Sequence, residues 1–296
     1  MRPPGRAELT ALLEKHGLRS SRSLGQNFLA DPNVAERIAR LARVGSGDRV
    51  VEIGAGLGSL TVALAATGAR VTAIEVDRHL LPALGDVVGS LSVDIVHADA
   101  MSCDWQALLG EDRWVLVANL PYNIATPLVL DLLVGVPAIE RMLVMVQREV
   151  GERLSAEPSA PAYGAVSARL AYFATARVVG RVPPSVFIPR PKVESVLVEI
   201  VRREAHVVSD EVATYDEINR LISLAFSVRR KMLRRSLGQV VSEEVFACAG
   251  VDSQRRPEEL GIEAWGELAG CLRRLGPPEL PAPPDEPDEP GEAEQS

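Results

Sequence analysis

Apolar positions come in short blocks between residues 49 and 201 and at helical spacing beyond them. Val50, Val51 and Ile53 form the first block, and similar blocks recur at Arg70–Glu75, Val93–His97, Trp114–Ala118 and Arg141–Gln147. Each is rich in β-branched residues and bounded by turn-formers, the pattern of strands buried on both faces. Two further strands are expected near 176–182 and 193–201, on either side of Pro183-Pro-Ser-Val-Phe-Ile-Pro-Arg-Pro. The intervening segments read as helices. One covers 1–17, one runs from an Asp31-Pro32 cap to about Arg43, and one begins near Ser59. Another is capped by Thr126-Pro127 and carries Leu128, Leu132 and Leu133 on its apolar face; 148–154 and 163–175 complete the set. Strands alternating with helices predict an α/β fold with a mostly parallel sheet covered on both faces.

From about Glu204 the strand signal ends. Helical periodicity at 215–227, 229–237, 243–248 and 263–275 predicts a small all-helical C-terminal domain. The chain therefore divides into an N-terminal arm (1–31), an α/β domain (32–203), the helical domain (204–276) and a tail (277–296) with almost nothing to bury, expected to be disordered.

Composition narrows the function classes. A chain of 296 residues with 47% hydrophobic content can bury a substantial core. It has no apolar run of membrane-spanning length and no secretory pattern at its start, so a soluble, cytoplasmic protein is expected, with monomer as the default state. Cys103, Cys248 and Cys271 show no ligand spacing with His16, His79, His97 or His206, and neither a metal site nor a disulfide framework is implied. The net charge of −8 comes largely from the tail, which holds seven acids and no base. Without it, 33 acids face 32 bases, and the bases are uneven: Arg220, Arg229, Arg230, Lys231, Arg234 and Arg235 lie in a stretch from Ile218 to Ser242 that contains no acid. A polyanion reads such local charge, although a solvated helix face is the common fate of a basic run.

The candidate chemistry begins at the end of the first strand. Gly54, Gly56 and Gly58 form Gly-x-Gly-x-Gly, with Ser59 where a dinucleotide fingerprint has its third glycine, so pyrophosphate binding is disfavoured. Glu75 ends the second strand, placed to accept hydrogen bonds from both hydroxyls of an adenosyl ribose, and Asp99 follows the third, placed for an adenine amino group. These features suit S-adenosylmethionine and, equally, another adenine nucleotide. The fourth strand empties into Asn119-Leu120-Pro121-Tyr122. The Asn119 side-chain oxygen and the Leu120 carbonyl could accept the two hydrogens of an adenine amino group and aim its lone pair at a methyl donor, with Pro121 fixing the turn. Tyr122 could stack on an extruded base, and Phe187 is a candidate second stacking face. Arg190 and Lys192 could hold phosphates. The alternative is that Asn-Leu-Pro-Tyr is only a strand-ending turn.

Taken together these residues resemble the ribosomal RNA adenine dimethyltransferases. The likeness rests on Leu24-Gly-Gln-Asn-Phe-Leu-Ala-Asp-Pro, Glu52-Ile-Gly-Ala-Gly-Leu-Gly-Ser-Leu-Thr, Glu75-Val-Asp, Asp99-Ala-Met, Asn119-Leu-Pro-Tyr-Asn-Ile-Ala-Thr-Pro, Gln147-Arg-Glu-Val-Gly-Glu-Arg-Leu and Phe187-Ile-Pro-Arg-Pro-Lys-Val-Glu-Ser. It implies a Rossmann-like class I methyltransferase sheet and S-adenosyl-L-methionine contacts at Asn27, Leu29, Gly54, Gly56, Glu75, Asp99, Ala100 and Asn119. It also implies a target base between Tyr122 and Phe187, and RNA contacts at Arg190, Lys192, Arg229, Arg230, Lys231 and Arg234. The activity implied is dimethylation of two adjacent adenosines near the 3′ end of small-subunit rRNA in an assembling subunit. Alternatives are a large-subunit rRNA methyltransferase conferring resistance and a non-catalytic rRNA-binding assembly factor. Ala55 replaces a common proline, Ser227-Val228 replaces a more polar pair, and the acidic tail is additional.

Overall fold

In the computed structural model, residues 2–21, 24–121, 124–228 and 231–276 are described. The described residues separate into two compact units, one within 2–151 and 176–202, the other within 152–175 and 203–276.

The first unit opens with α1 (Arg6–Lys15), β1 (Phe28–Leu29) and α2 (Pro32–Ala42). The Asp31 carboxylate accepts from the Asn33 and Val34 N–H groups and Pro32 takes the first helical position, as the Asp-Pro pair predicts. There follow β2 (Arg49–Ile53), α3 (Ser59–Ala65), β3 (Arg70–Glu75), α4 (Leu81–Val88), β4 (Val93–His97), α5 (Trp105–Leu109), β5 (Trp114–Asn119), α6 (Ala125–Gly135) and β6 (Ile139–Gln147). Thr126 and Pro127 lie inside the first turn of α6 rather than capping it, since the capping position falls on Ile124, which offers no side-chain acceptor. After α7 (Arg148–Leu154) and α8 (Ala165–Phe173), the chain adds β7 (Ala174–Val182), β8 (Phe187–Ile188) and β9 (Ser195–Arg202).

Seven strands form one sheet in the order β4-β3-β2-β5-β6-β9-β7. The five from β2 to β6 pair parallel, and β9 runs antiparallel to β6. Strand order reverses between β2 and β5, and the crevice outside the carboxyl ends at such a switch point is where α/β sheets bind ligands. The central strands are largely apolar because helices cover both faces, with Glu52 of β2 buried among them. Leu116, Val117, Val144 and Leu197 are completely buried, each worth about 1.5–3 kcal/mol of transfer free energy. Within the N-terminal arm, Phe28 and Leu29 form a two-stranded antiparallel ribbon with β8: Phe28 pairs with Ile188 and Leu29 with Phe187. Nothing local signals so short a pairing; it comes from a partner far along the chain.

The second unit holds α9 (Tyr215–Phe226), α10 (Leu233–Ser236), α11 (Glu243–Cys248) and α12 (Ile262–Leu275). It also takes in residues 152–175, which the sequence pattern assigned to the α/β domain, because α8 packs on α9 and α12. Tyr172, Phe173, His206 and Tyr215 form its aromatic cluster, and the buried Tyr163 hydroxyl donates to the Leu260 carbonyl. Of the helix expected over 229–237, residues 229 and 230 lie outside the described residues, and α10 begins only after Met232, which is extended and caps it. The expectation of no disulfide is also corrected. Packing of α11 on α12 brings Cys248 and Cys271, 23 residues apart, to a Cα–Cα distance of 6.0 Å, and they are bonded. No helix among the described residues is long and apolar enough to cross a membrane.

Candidate active site

The turn after β2 is built on left-handed glycines. Gly54, Gly56 and Gly58 have φ of +73°, +57° and +82°, values that a side chain rarely tolerates. The Gly54 and Ala55 N–H groups both donate to the Ile74 carbonyl on β3, which folds the turn back over the sheet edge. A Cβ on Gly56 would lie 3.1 Å from the Phe28 ring, and one on Gly54 would lie 3.5 Å from the Asn119 carbonyl oxygen. The glycines thus let β1, the β2 turn and the end of β5 crowd around one cavity.

Two carboxylates line that cavity. Glu75 is 4% exposed; its Oε2 accepts from the Gly56 N–H at 2.7 Å and its Oε1 from the Asp77 N–H at 2.9 Å. Burial raises its pKa, and the two main-chain donors oppose the rise. Each oxygen keeps a lone pair for a further donor. Glu52, on β2, is 1% exposed, and among the described residues its Oε2 has no hydrogen-bond partner. Burial pushes the Glu52 carboxyl up to about 8, and the charge of Glu75 adds to the rise while the Thr61 hydroxyl opposes it. An orphaned acid in a cavity wall is expensive without a ligand, and the wall here is that of the glycine turn.

Asn119, Leu120 and Pro121 form the facing wall, with Asn27, Phe28 and Leu29 beside them. The Asn119 Nδ2 donates to the Asn27 carbonyl at 3.0 Å, and the Asn27 Nδ2 donates to the Gly25 carbonyl at 3.1 Å. The first bond fixes the Asn119 amide and leaves Oδ1 as its acceptor. Gln26 ties the same loop down by donating to Asp77 at 2.8 Å and accepting from the Ser21 N–H.

A family model described as ribosomal RNA adenine dimethylase matches residues 17–272. The chain belongs to the ribosomal RNA adenine dimethylases. Similar relatives are named ribosomal RNA small subunit methyltransferase A: that of Cutibacterium acnes is 42% identical over 282 residues, covering 91% of this chain and 93% of the relative. That of Moorella thermoacetica is 41% identical over 285 residues, covering 91% and 98%. Among solved structures, a dimethyladenosine transferase from Plasmodium falciparum aligns with a TM-score of 0.68 at 24% identity, covering 81% of this chain and 95% of that one. The 23S rRNA methyltransferase ErmE aligns with a TM-score of 0.67 at 24% identity, covering 83% and 99%. These two likenesses establish the class I methyltransferase fold.

In this dimethylase the expected residues Asn27, Leu29, Gly54, Gly56, Glu75, Asn119, Leu120 and Pro121 meet at the cavity. Others do not. Asp99 is exposed beyond β4, where its Oδ1 accepts from the Met101 N–H and shapes the local turn, and Ala100 faces a separate shallow cleft. Phe187 departs furthest from its assignment. Pairing of β8 with β1 draws its ring into the core, 1% exposed, among Leu29, Val186 and Leu197, so it offers a base no face here. Tyr122, Arg229 and Arg230 lie outside the described residues. Arg190 and Lys192 are exposed on the loop between β8 and β9, and Lys231 and Arg234 are exposed in the second unit. Sequence reasoning gave Glu52 no role and read Gln26 only as part of a loop leading up to the α/β domain that could close over a cofactor. An acid within an apolar strand, two residues before Gly54, was the available signal for Glu52.

Proposed function

We propose that this dimethylase transfers methyl groups from S-adenosylmethionine to the exocyclic N6 of two adjacent adenosines near the 3′ end of small-subunit rRNA, acting as a cytoplasmic monomer on the assembling subunit. The observation that carries the reading is that the Asn119–Pro121 turn shares one cavity with the glycine turn and Glu75.

The residues present fit the methyl donor. Glu75 has lone pairs left for ribose hydroxyls, the glycines admit a ligand against main chain, and the unpartnered Glu52 Oε2 suits the ammonium of the methionyl end. Bound there, S-adenosylmethionine supplies an electrophilic methyl on a sulfonium sulfur. The protein's part is orientation. Asn119 Oδ1 and the Leu120 carbonyl accept the two amino hydrogens of the target adenine, which withdraws the nitrogen lone pair from the ring and directs it toward the methyl. Tyr122 supplies a stacking face for the base. After transfer the amino nitrogen is acidic enough to lose its proton to water, so no strong general base is needed. Holding nitrogen, carbon and sulfur in line accounts for most of the acceleration, since well-oriented reactants gain up to about 7–11 kcal/mol. Lys231 and Arg234, with Arg229 and Arg230, hold rRNA phosphates, and so do Arg190 and Lys192.

The test is methyl transfer from labelled S-adenosylmethionine to purified small subunits lacking adenine dimethylation, with large subunits in parallel and mass mapping of the product. Dimethyladenosine in small-subunit RNA is the expected result. Label confined to large subunits, or tight binding with no label in either, overturns the reading.

A further inference from the structure

The first unit carries a second arginine cluster, remote in sequence from the basic run at 218–242. On α2, Arg37 and Arg40 are exposed and Arg43 follows at the helix end; on the edge strand β7, Arg177 and Arg181 are exposed. Arg37 meets β7 directly and Arg43 meets it through Glu199, and Arg40 lies between them in the chain, three residues from each. The Arg37 guanidinium donates to the Arg181 carbonyl at 3.2 Å and lies so close over Gly180 that a Cβ there would sit 2.6 Å from its Nη2. Arg43 and Arg177 both pair with the buried carboxylate of Glu199, Arg177 at 2.6 Å. Arg141 joins them by donating to the Arg43 carbonyl at 3.3 Å, and burial followed by the charge of Arg43 lowers its pKa.

Arginines thus outnumber the acids that pair with them here: Arg43 and Arg177 share the single buried carboxylate of Glu199. Elsewhere on this unit Arg49 pairs with Asp112 and Arg113 with Glu140, one to one. Arg40 and Arg181 have no side-chain hydrogen bond or ion pair among the described residues. Crowding like charges costs stability unless an anion meets them.

We propose that the face formed by α2 and the edge strand β7 is an RNA-binding surface, taking the phosphodiester backbone of the substrate RNA through Arg37, Arg40 and Arg181. Glu199 has the opposite duty: it holds Arg43 and Arg177 in place and keeps the cluster from repelling itself. A phosphate backbone suits the face because the arginines are exposed forks with no apolar residue required between them. Such contacts position RNA without reading its sequence.

The inference rests on the rRNA substrate reading above, and the experiment separates the two. Binding of wild type and of the double variant Arg40→Ala/Arg181→Ala to small subunits lacking adenine dimethylation is measured between 50 and 200 mM salt, with S-adenosylmethionine binding as the control for folding. Arg43, Arg177 and Glu199 are left intact, because removing one partner of a buried pair threatens the fold. The expected result is about tenfold weaker binding at the lower salt and a slope of log affinity against log salt shallower by about 0.7–0.9 per arginine, with cofactor affinity unchanged. A charge-reversing Arg40→Glu/Arg181→Glu variant should weaken binding further. A wild-type slope in both variants overturns the surface while leaving the methylation reading intact. Weaker binding with an unaltered slope assigns the face to a ribosomal protein instead and equally overturns it. Failure of the wild type to bind small subunits at all overturns the rRNA reading and this inference with it.

Discussion

Glu75 commits both carboxylate oxygens to main-chain donors before any ligand arrives. The Gly56 and Asp77 N–H groups each need an acceptor. An amide at this position has one oxygen and one NH2, so Glu75→Gln must leave one N–H facing another donor, at a cost of about 1–3 kcal/mol. We expect this variant to raise the KM for the methyl donor at least tenfold with a smaller effect on kcat, read by initial rates at saturating RNA. Asn119 predicts the opposite split. Its Nδ2 is anchored on the Asn27 carbonyl, and its oxygen is the group offered to the target amine. Asn119→Ala should lower kcat by about 10²–10³, the loss typical of one preorganised polar group. Cofactor affinity should change much less, since Glu75 and the glycine turn remain. Retention of full kcat would remove Asn119 from the orienting role.

At the scale of elements, the cavity exists because three segments approach more closely than side chains ordinarily allow. The β2 turn was legible in the sequence, since Gly-x-Gly-x-Gly after an apolar strand has few other uses, and Asn119 was legible as the end of a fourth strand. The β1–β8 ribbon was not, because two residues of pairing leave no periodicity and the partner lies about 160 positions away. That omission explains why Phe187 was read as a stacking face, when its pairing with Leu29 turns the ring into the core. The same ribbon gives Gly56 a second constraint besides its φ of +57°, the Phe28 ring 3.1 Å from where a Cβ would stand. Gly56→Ala should cost about 1–2 kcal/mol in urea unfolding from the left-handed backbone alone. It should weaken cofactor binding in addition, since the displaced Phe28 and the Glu75 acceptor both border the site. An Ala variant that unfolds at the wild-type urea concentration and binds the cofactor normally would show that the turn does not depend on this approach.

Across the whole molecule, two buried or paired acids pull stability in opposite directions with pH, one in each unit. Glu52 has a folded pKa of about 8 against an ordinary 4.5. Between those values the folded protein holds a proton that the unfolded chain has released, so stability is greatest below 4.5 and declines as pH rises toward 8, by at most about 1.4 kcal/mol per pH unit. Glu217 is held down to about 2, chiefly by its hydrogen bond with Arg273 and then by the Thr214 cap, with burial partly opposing. Its contribution is complete above 4.5 and is lost as pH falls toward 2. The two windows meet near pH 4.5 to 5, where these groups together favour the fold most. Urea unfolding at pH 3, 5 and 8 should therefore show a maximum at the middle value. Glu52→Gln should flatten the alkaline limb and leave the acid limb alone; Arg273→Ala should do the reverse. The alkaline limb also bears on the site, because a ligand ammonium beside Glu52 favours the ionised carboxylate. Binding S-adenosylmethionine at pH 7 should then release close to one proton, measured by calorimetry in buffers of different ionisation enthalpy. Binding without proton release, or a Glu52→Gln variant that releases as much as wild type, would detach Glu52 from the methionyl end of the cofactor and leave its burial without a functional account.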